Sequence, residues 1–158
     1  MADQKTNVMR ILEQKKIKYI PHEYPHGNEA VDGVTVAELT GLDAESVFKT
    51  LVARGASKIP CVFVIPVSCE LDLKKAAKAV GEKSVSMIHV SEITALTGYV
   101  RGGCSPIGMK KAYRTVFHQT AETLESIVVS AGKIGYQVEL SPGDLIGLVG
   151  GTVADITV

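Results

Sequence analysis

A chain of 158 residues, 46% hydrophobic and 22% charged, is the size of one domain and can bury a full core. Its 17 basic and 17 acidic residues cancel, which argues against the global positive field of a protein that coats DNA or RNA. No apolar stretch nears the roughly 20 residues needed to span a bilayer, and Met1 to Lys5 lead into a polar helix with no signal-peptide core. A cytoplasmic protein without a membrane or DNA partner is expected.

Thr6 to Lys16 places Val8, Met9, Ile11 and Leu12 at helical spacing, with Thr6 or Asn7 as N-cap. Ile17 to Glu23 alternates like a strand and closes at Pro25 and Gly27. Thr35 to Thr40 reads as a short helix ended by Gly41, since Thr35 and Glu38 fit a capping box. A capped turn, Asp43 to Ser46, feeds an apolar strand at Val47 to Val52. Ile59 to Val67 is a further strand edged by Pro60 and Pro66, and Leu71 to Val80 a helix capped by Gly81. Val85 to Ile88 predicts a short strand, and Ser91 to Leu96 a short helix stopped by Gly98. Strands follow at Thr115 to His118, Ser126 to Ser130 and Tyr136 to Leu140, then a short helix at Leu145 to Leu148 and a last strand from Thr152. Six or seven short strands interleaved with four or five helices predict one compact α/β (α+β) domain over residues 1–158, built on a mixed sheet.

Several motifs fail on their own physics. His22-Glu23-Tyr24-Pro25-His26 spells the H-E-x-x-H of zinc proteases, but that chemistry needs both histidines on one helical face. Pro21, Pro25 and Gly27 oppose such a helix, an interior proline alone costing about 3 kcal/mol. Gly103 to Gly108 begins like a P-loop, yet Met109 stands where the phosphate-binding lysine belongs. The spacing after Ser105 is one residue too long for a nucleophile elbow, and neither His89 nor His118 has a serine–carboxylate context. Cys61, Cys69 and Cys104 form no C-x-x-C pair, so three reduced thiols and no metal or redox cofactor are expected. Three lysine clusters, at Lys15 to Lys18, Lys74 to Lys78 and Lys110 to Arg114, read by themselves as solvated faces.

Two features remain. Lys49 interrupts the apolar run Val47-Phe48-Lys49-Thr50-Leu51-Val52, where an ammonium is costly unless paired, solvated in a cleft or met by an anion. Alternation sets it on the face of Val47 and Leu51 and leaves two readings, a cation in a cleft or an outward residue on a polar surface. The loop Gly98-Tyr99-Val100-Arg101-Gly102-Gly103-Cys104-Ser105-Pro106-Ile107-Gly108 offers a close backbone approach and free amide donors suited to a carbonyl or phosphate oxygen.

The Val47–Leu51 run, this loop and the segment Ser130-Ala131-Gly132-Lys133-Ile134-Gly135-Tyr136-Gln137-Val138-Glu139-Leu140-Ser141-Pro142-Gly143-Asp144-Leu145 together resemble the YbaK-type aminoacyl-tRNA deacylases. These are relatives of the editing domain inserted in bacterial prolyl-tRNA synthetase. The likeness runs nearly end to end, and the Gly-Gly-Cys-Ser-Pro-Ile-Gly loop is most similar to the branch that acts on Cys-tRNA(Pro). It implies a barrel-like mixed sheet flanked by helices and a cleft for the 3′ end of a charged tRNA. It further implies that Lys49 is the essential lysine, with Thr50 beside it and Tyr19 lining the pocket. Gly102, Gly103, Cys104 and Ser105 correspond to the substrate loop and Ser130 to a serine near the site, while Gln137 stands where relatives carry an acidic residue. The implied activity is removal of cysteine from Cys-tRNA(Pro) and other Cys-tRNAs through the cysteinyl thiol. Prolyl-tRNA synthetase is the implied partner. Ala-tRNA(Pro) or a non-catalytic tRNA-binding module are the alternatives left open.

Overall fold

Val62 to Ile65 are wholly buried, and the molecule is built around them. A strand with both faces covered loses the usual alternation and becomes a continuous apolar run. In the computed structural model, which describes residues 5–25, 27 and 31–158, this run lies in the third strand. In chain order the elements are α1 (Asn7–Gln14), β1 (Ile20–Glu23), α2 (Gly33–Thr40), β2 (Phe48–Gly55), β3 (Pro60–Pro66), α3 (Leu73–Val80) and β4 (Val85–Met87). They continue with α4 (Ile93–Thr97), β5 (Arg114–His118), β6 (Ile127–Lys133), β7 (Tyr136–Leu140), α5 (Pro142–Val149) and β8 (Thr152–Ala154). Single 3₁₀ turns at Val90–Glu92 and Gln119–Thr123 complete the set among the described residues. None of these helices is long and apolar enough to cross a membrane.

The eight strands form two sheets, β1-β7-β6 and β4-β2-β3-β5-β8. The larger is mixed, since β3–β5 and β5–β8 pair in parallel and the others antiparallel. The α/β character and mixed sheet agree with the sequence reading, but the barrel-like core is corrected. An isolated parallel bridge, Val47 to Val128, joins the sheets, and they do not close on each other. The strand count is eight because β8 and the short β4 both pair at the edges of the larger sheet.

Each face of β3 has its own cover. Ala76, Ala77 and Val80 of α3 pack on Phe63, Ile65 and Ala53, while Val8, Met9 and Leu12 of α1 share a core with Val62, Val64, Val129 and Val138. Both helices carry their apolar residues at helical spacing, and side chains cap them: Thr6 Oγ1 accepts from Met9 N, and Asp72 accepts from Lys74 N and Lys75 N. The cap of α2 differs from the expected Thr35 box. Asp32 is the N-cap and takes the Thr35 amide at 2.9 Å and its hydroxyl at 2.8 Å, so the helix starts two residues earlier. A carboxylate accepts two such bonds more strongly than a hydroxyl can accept one.

The C-terminal segment is fastened by His118. Its Nδ1 accepts from the Ile156 amide at 3.3 Å, which leaves the proton on Nε2, 3.3 Å from Thr157 Oγ1. Burial lowers its pKa, helped by Lys75 and opposed by Asp155. The unfolded chain therefore takes up the proton more readily. This contribution to stability is present above the ordinary histidine range near 6.5 and is lost as pH falls below it. The melting temperature should drop between pH 7.5 and 5.5, and His118→Asn, which keeps an acceptor near the Nδ1 position, should flatten that profile; an equally steep profile in the variant would exclude His118 as the cause.

Candidate active site

At the Val47–Val128 bridge, Val128 N donates to Ser46 O at 2.9 Å and Val67 N to Val47 O at 2.8 Å. Beyond it β2 pairs with β3 and β6 with β7, so the two chains part. A cleft of about 790 Å3 opens there, lined along β2 from Val47 to Val52 and across by Ser130, Tyr136 and Gln137. Arg101, Gly102 and Cys104 form one rim, and Met87, Ile88, Val90 and Ile93 another.

Lys49 is half-buried on this wall, directly after the fully buried Val47 and Phe48 and opposite Ile65. It makes no hydrogen bond or ion pair among the described residues. Of the two sequence readings, the structure places Lys49 in a cleft. Arg101, exposed on the rim, is a second cation. Against them the described lining has one carboxylate, Asp32, which the Thr35 amide and hydroxyl hold below the usual range while it caps α2. The cleft is thus suited to an anion.

The glycine loop is positioned by close backbone packing. A Cβ on Gly103 would stand 3.0 Å from Ile134 N and 3.2 Å from the Lys133 backbone, so the loop lies flat against the β6–β7 turn. Gly102 adopts φ 86°, where a side chain is strained. The Gly103 amide is committed to Val100 O at 3.0 Å, whereas the Gly102 and Cys104 amides have no acceptor among the described residues. Those two are the donors free to meet a carbonyl oxygen.

Of the residues named from the sequence, Lys49, Thr50, Gly102, Cys104 and Ser130 share this cleft. Three do not line it. Gly103 is the packing residue just described, and Ser105 is fully buried with its hydroxyl accepting from Ile107 N at 3.3 Å. Tyr19 lies elsewhere and donates to Glu13 Oε2 at 2.7 Å, its own pKa pushed up to about 12 by burial and by that bond. Ser130 Oγ accepts from Gly132 N at 3.1 Å at a bulge in β6. No histidine lines the cleft among the described residues. His22 is in a strand, its Nε2 2.8 Å from Glu139 Oε1, and His26 lies outside the described residues. Burial pushes the Cys104 thiol up to about 11, eased by a bond from Thr97, so at neutral pH it is not a thiolate nucleophile.

Two polar side chains were not assigned a role from the sequence. Arg101 was hidden by its place in a glycine-rich loop. Gln137 is 6% exposed, and its Oε1, like Thr50 Oγ1, is buried with no partner among the described residues. Both line the cleft. Buried polar atoms are nearly always bonded, and an orphaned one costs about 1–3 kcal/mol, so two on one cavity wall make this wall a candidate for contact with a ligand. Gln137 faces Ser130 in the β6–β7 register, and a polar residue in an otherwise buried strand was the available signal.

These two sheets and this cleft define an aminoacyl-tRNA editing fold. Residues 28–148 match the aminoacyl-tRNA editing domain family, and the chain belongs to it. It is 47% identical over 156 residues to the candidate Cys-tRNA(Pro)/Cys-tRNA(Cys) deacylase EbsC of Enterococcus faecalis, covering 99% of this chain and 95% of that protein. It is 30% identical over 108 residues to a proline–tRNA ligase of Shouchella clausii, covering 68% of this chain but 19% of the ligase. The fold superposes with a TM-score of 0.83 on the crystal structure of a candidate trans-editing enzyme for prolyl-tRNA synthetase, at 22% identity, with 100% and 99% of the two chains covered.

Replacing Gln137 by leucine should leave the melting temperature unchanged or raise it, because an orphaned acceptor is removed at similar volume. It should lower turnover at least tenfold. Unchanged turnover would exclude substrate contact at this position. Cys104→Ala should keep turnover within a few-fold of wild type, and a loss of a hundredfold or more would reinstate it as a nucleophile.

Proposed function

We propose that the protein is a trans-editing deacylase that removes cysteine from Cys-tRNA(Pro), and from other Cys-tRNAs, acting in the cytoplasm through the single domain of residues 1–158. One observation carries the reading. An unpaired lysine, free loop amides and an anion-suited cleft occur together with no thiolate and no histidine base to activate a hydroxyl among the described lining residues. That is a poor site for cleaving an amide and an adequate one for an aminoacyl ester, which is already activated and needs orientation and oxyanion stabilisation.

In this reading the Gly102 and Cys104 amides hold the ester carbonyl oxygen. Lys49 balances the charge of the terminal phosphate or of the developing oxyanion. Arg101 on the rim binds backbone phosphate, as a planar guanidinium does well. The substrate's own thiol gives up its proton as its sulfur attacks the ester carbon, the bond to the ribose oxygen breaks, and that oxygen takes up the proton the thiol released. A four-membered thiolactone leaves and hydrolyses to cysteine. Prolyl-tRNA synthetase is the natural partner, since a chain of zero net charge gains little affinity for tRNA from its overall field. No metal enters this chemistry.

Parallel deacylation of Cys-, Ser- and Ala-tRNA by pure protein tests it. Cys-tRNA(Pro) should decay well above the buffer rate, with Ser- and Ala-tRNA near background. Faster loss of alanine would move the specificity to Ala-tRNA(Pro), and tRNA binding with no turnover would make this a binding module. Lys49→Ala should lower the rate at least a hundredfold with an unchanged or higher melting temperature, since it removes an unpaired cation from an apolar wall. Lys49→Arg should be nearly as slow, because a bulkier planar head cannot occupy the position of a compact ammonium. Wild-type rates in both variants would overturn the assignment.

A further inference from the structure

A second depression, a groove of about 550 Å3, is formed by α3 and the segment leading into β4, with Lys74, Lys78 and Lys83 among its lining residues. All three lysines are exposed, and none is in an ion pair among the described residues. Lys74 and Lys78 are one helical turn apart, which puts their Cβ atoms about 5–6 Å from each other in one row. Ala76 and Val80 anchor α3 in the core, and Ala77, which packs there too, also lines the groove, so the row is presented on a rigid support. The groove also contains Glu82, but its carboxylate is turned to the β2–β3 hairpin, where it accepts from the Ser57 hydroxyl at 2.5 Å and the Ser57 amide at 3.2 Å. In a chain of zero formal net charge, three unpaired lysines against one engaged carboxylate are a local excess of positive charge.

The groove and the cleft border the same strand. Val85, at one end of β4, lines the groove, and Met87, at the other, lines the cleft, about 7 Å further along the strand. We propose that the lysine row of α3 binds the phosphate backbone of the tRNA acceptor arm while the aminoacylated 3′ end occupies the cleft. An acidic protein surface would also be attracted by lysines alone. The shared strand favours RNA, because a nucleic acid whose end is in the cleft must leave along one of its rims, and this rim leads to unpaired cations. The inference rests on the reading of the cleft as a tRNA 3′-end site, and its test separates the two.

The triple variant Lys74→Ala/Lys78→Ala/Lys83→Ala should fold normally, since all three positions are exposed and alanine is the best helix former at Lys74 and Lys78, the two within α3. Uncharged tRNA(Pro) binding by filter retention at low salt should weaken at least tenfold, and the slope of log affinity against log salt should become shallower by roughly 2 to 3. These readings need no catalysis. With full-length Cys-tRNA(Pro) the loss should appear in KM, while hydrolysis of a cysteinyl ester of the CCA trinucleotide should match wild type. Wild-type tRNA affinity and salt slope in the variant would overturn the proposal, as would equal losses on tRNA and trinucleotide. Lower activity only when a synthetase is added, with free tRNA binding intact, would assign the lysines to a protein surface and overturn the RNA assignment. If the wild type cleaves neither substrate, the deacylase reading fails and tRNA binding still decides on the lysine row.

Discussion

The backbone joint at Val47 sets everything around it. Ser46 and Val47 accept from Val128 on one side and Val67 on the other, so one residue pair couples both sheets. The pairing stops there, at an isolated bridge. Had β2 and β6 continued side by side, their ladder would have filled the space with hydrogen-bonded backbone and the sheets would have approached a barrel. Instead the strands part, and Lys49 and Ser130, each two residues past the bridge, stand on the facing walls of the opening. The bulge between Ser130 and Lys133 bends β6 further at this point. The cleft is therefore a property of where two strands stop pairing, and it inherits the rigidity of both sheets.

The chemistry offered by the cleft is sparse, and on the proposed reading the sparseness is what selects. Serine and cysteine differ by one atom, and a pocket of fixed shape discriminates weakly between near-isosteres. A site that supplies cations and amide donors but no reactive nucleophile moves the decision from fit to reactivity. Cys104, the thiol in the cleft, is kept protonated by burial and does not blur that distinction. A sulfur carried by the substrate is then the group that can complete the reaction, and a serine ester held in the same pose waits for water.

How much of this the sequence carried depends on the scale of the signal. Helices with their own caps and periodicity, such as α1 and α3, could be read within a residue or two because the information is local. The α2 cap was displaced from Thr35 to Asp32 because both residues suit a helix start and the pattern cannot rank them. The barrel was over-read because closure is decided by pairing between distant strands, and Val47 and Val128 carry no mark of being the last pair. For Lys49, alternation fixes which neighbours share its face but says nothing of what covers that face. Gly103 illustrates a different limit. It was read as a substrate contact, yet the reason for glycine there is the backbone of Lys133 and Ile134, more than 25 residues away in sequence.

Stability and function are divided between regions of the fold. The cleft wall holds an ammonium and two buried oxygens that find no partner among the described residues, each an unfavourable arrangement. Nothing comparable is found where the chain is fastened. Leu71 bridges Thr157, Asp72 N donates to Ile156 O at 2.8 Å, and Lys75 Nζ donates to Thr157 O at 2.8 Å. This latch and the α3 face close over the central strand on the side away from α1. A domain of this size has only a narrow margin of net stability, so unsatisfied groups are tolerable where the remaining core is well packed. The same division explains why substitutions that remove polar atoms from the cleft are expected to leave the fold intact: the groups the cleft exposes to ligand are ones the folded chain does not itself use.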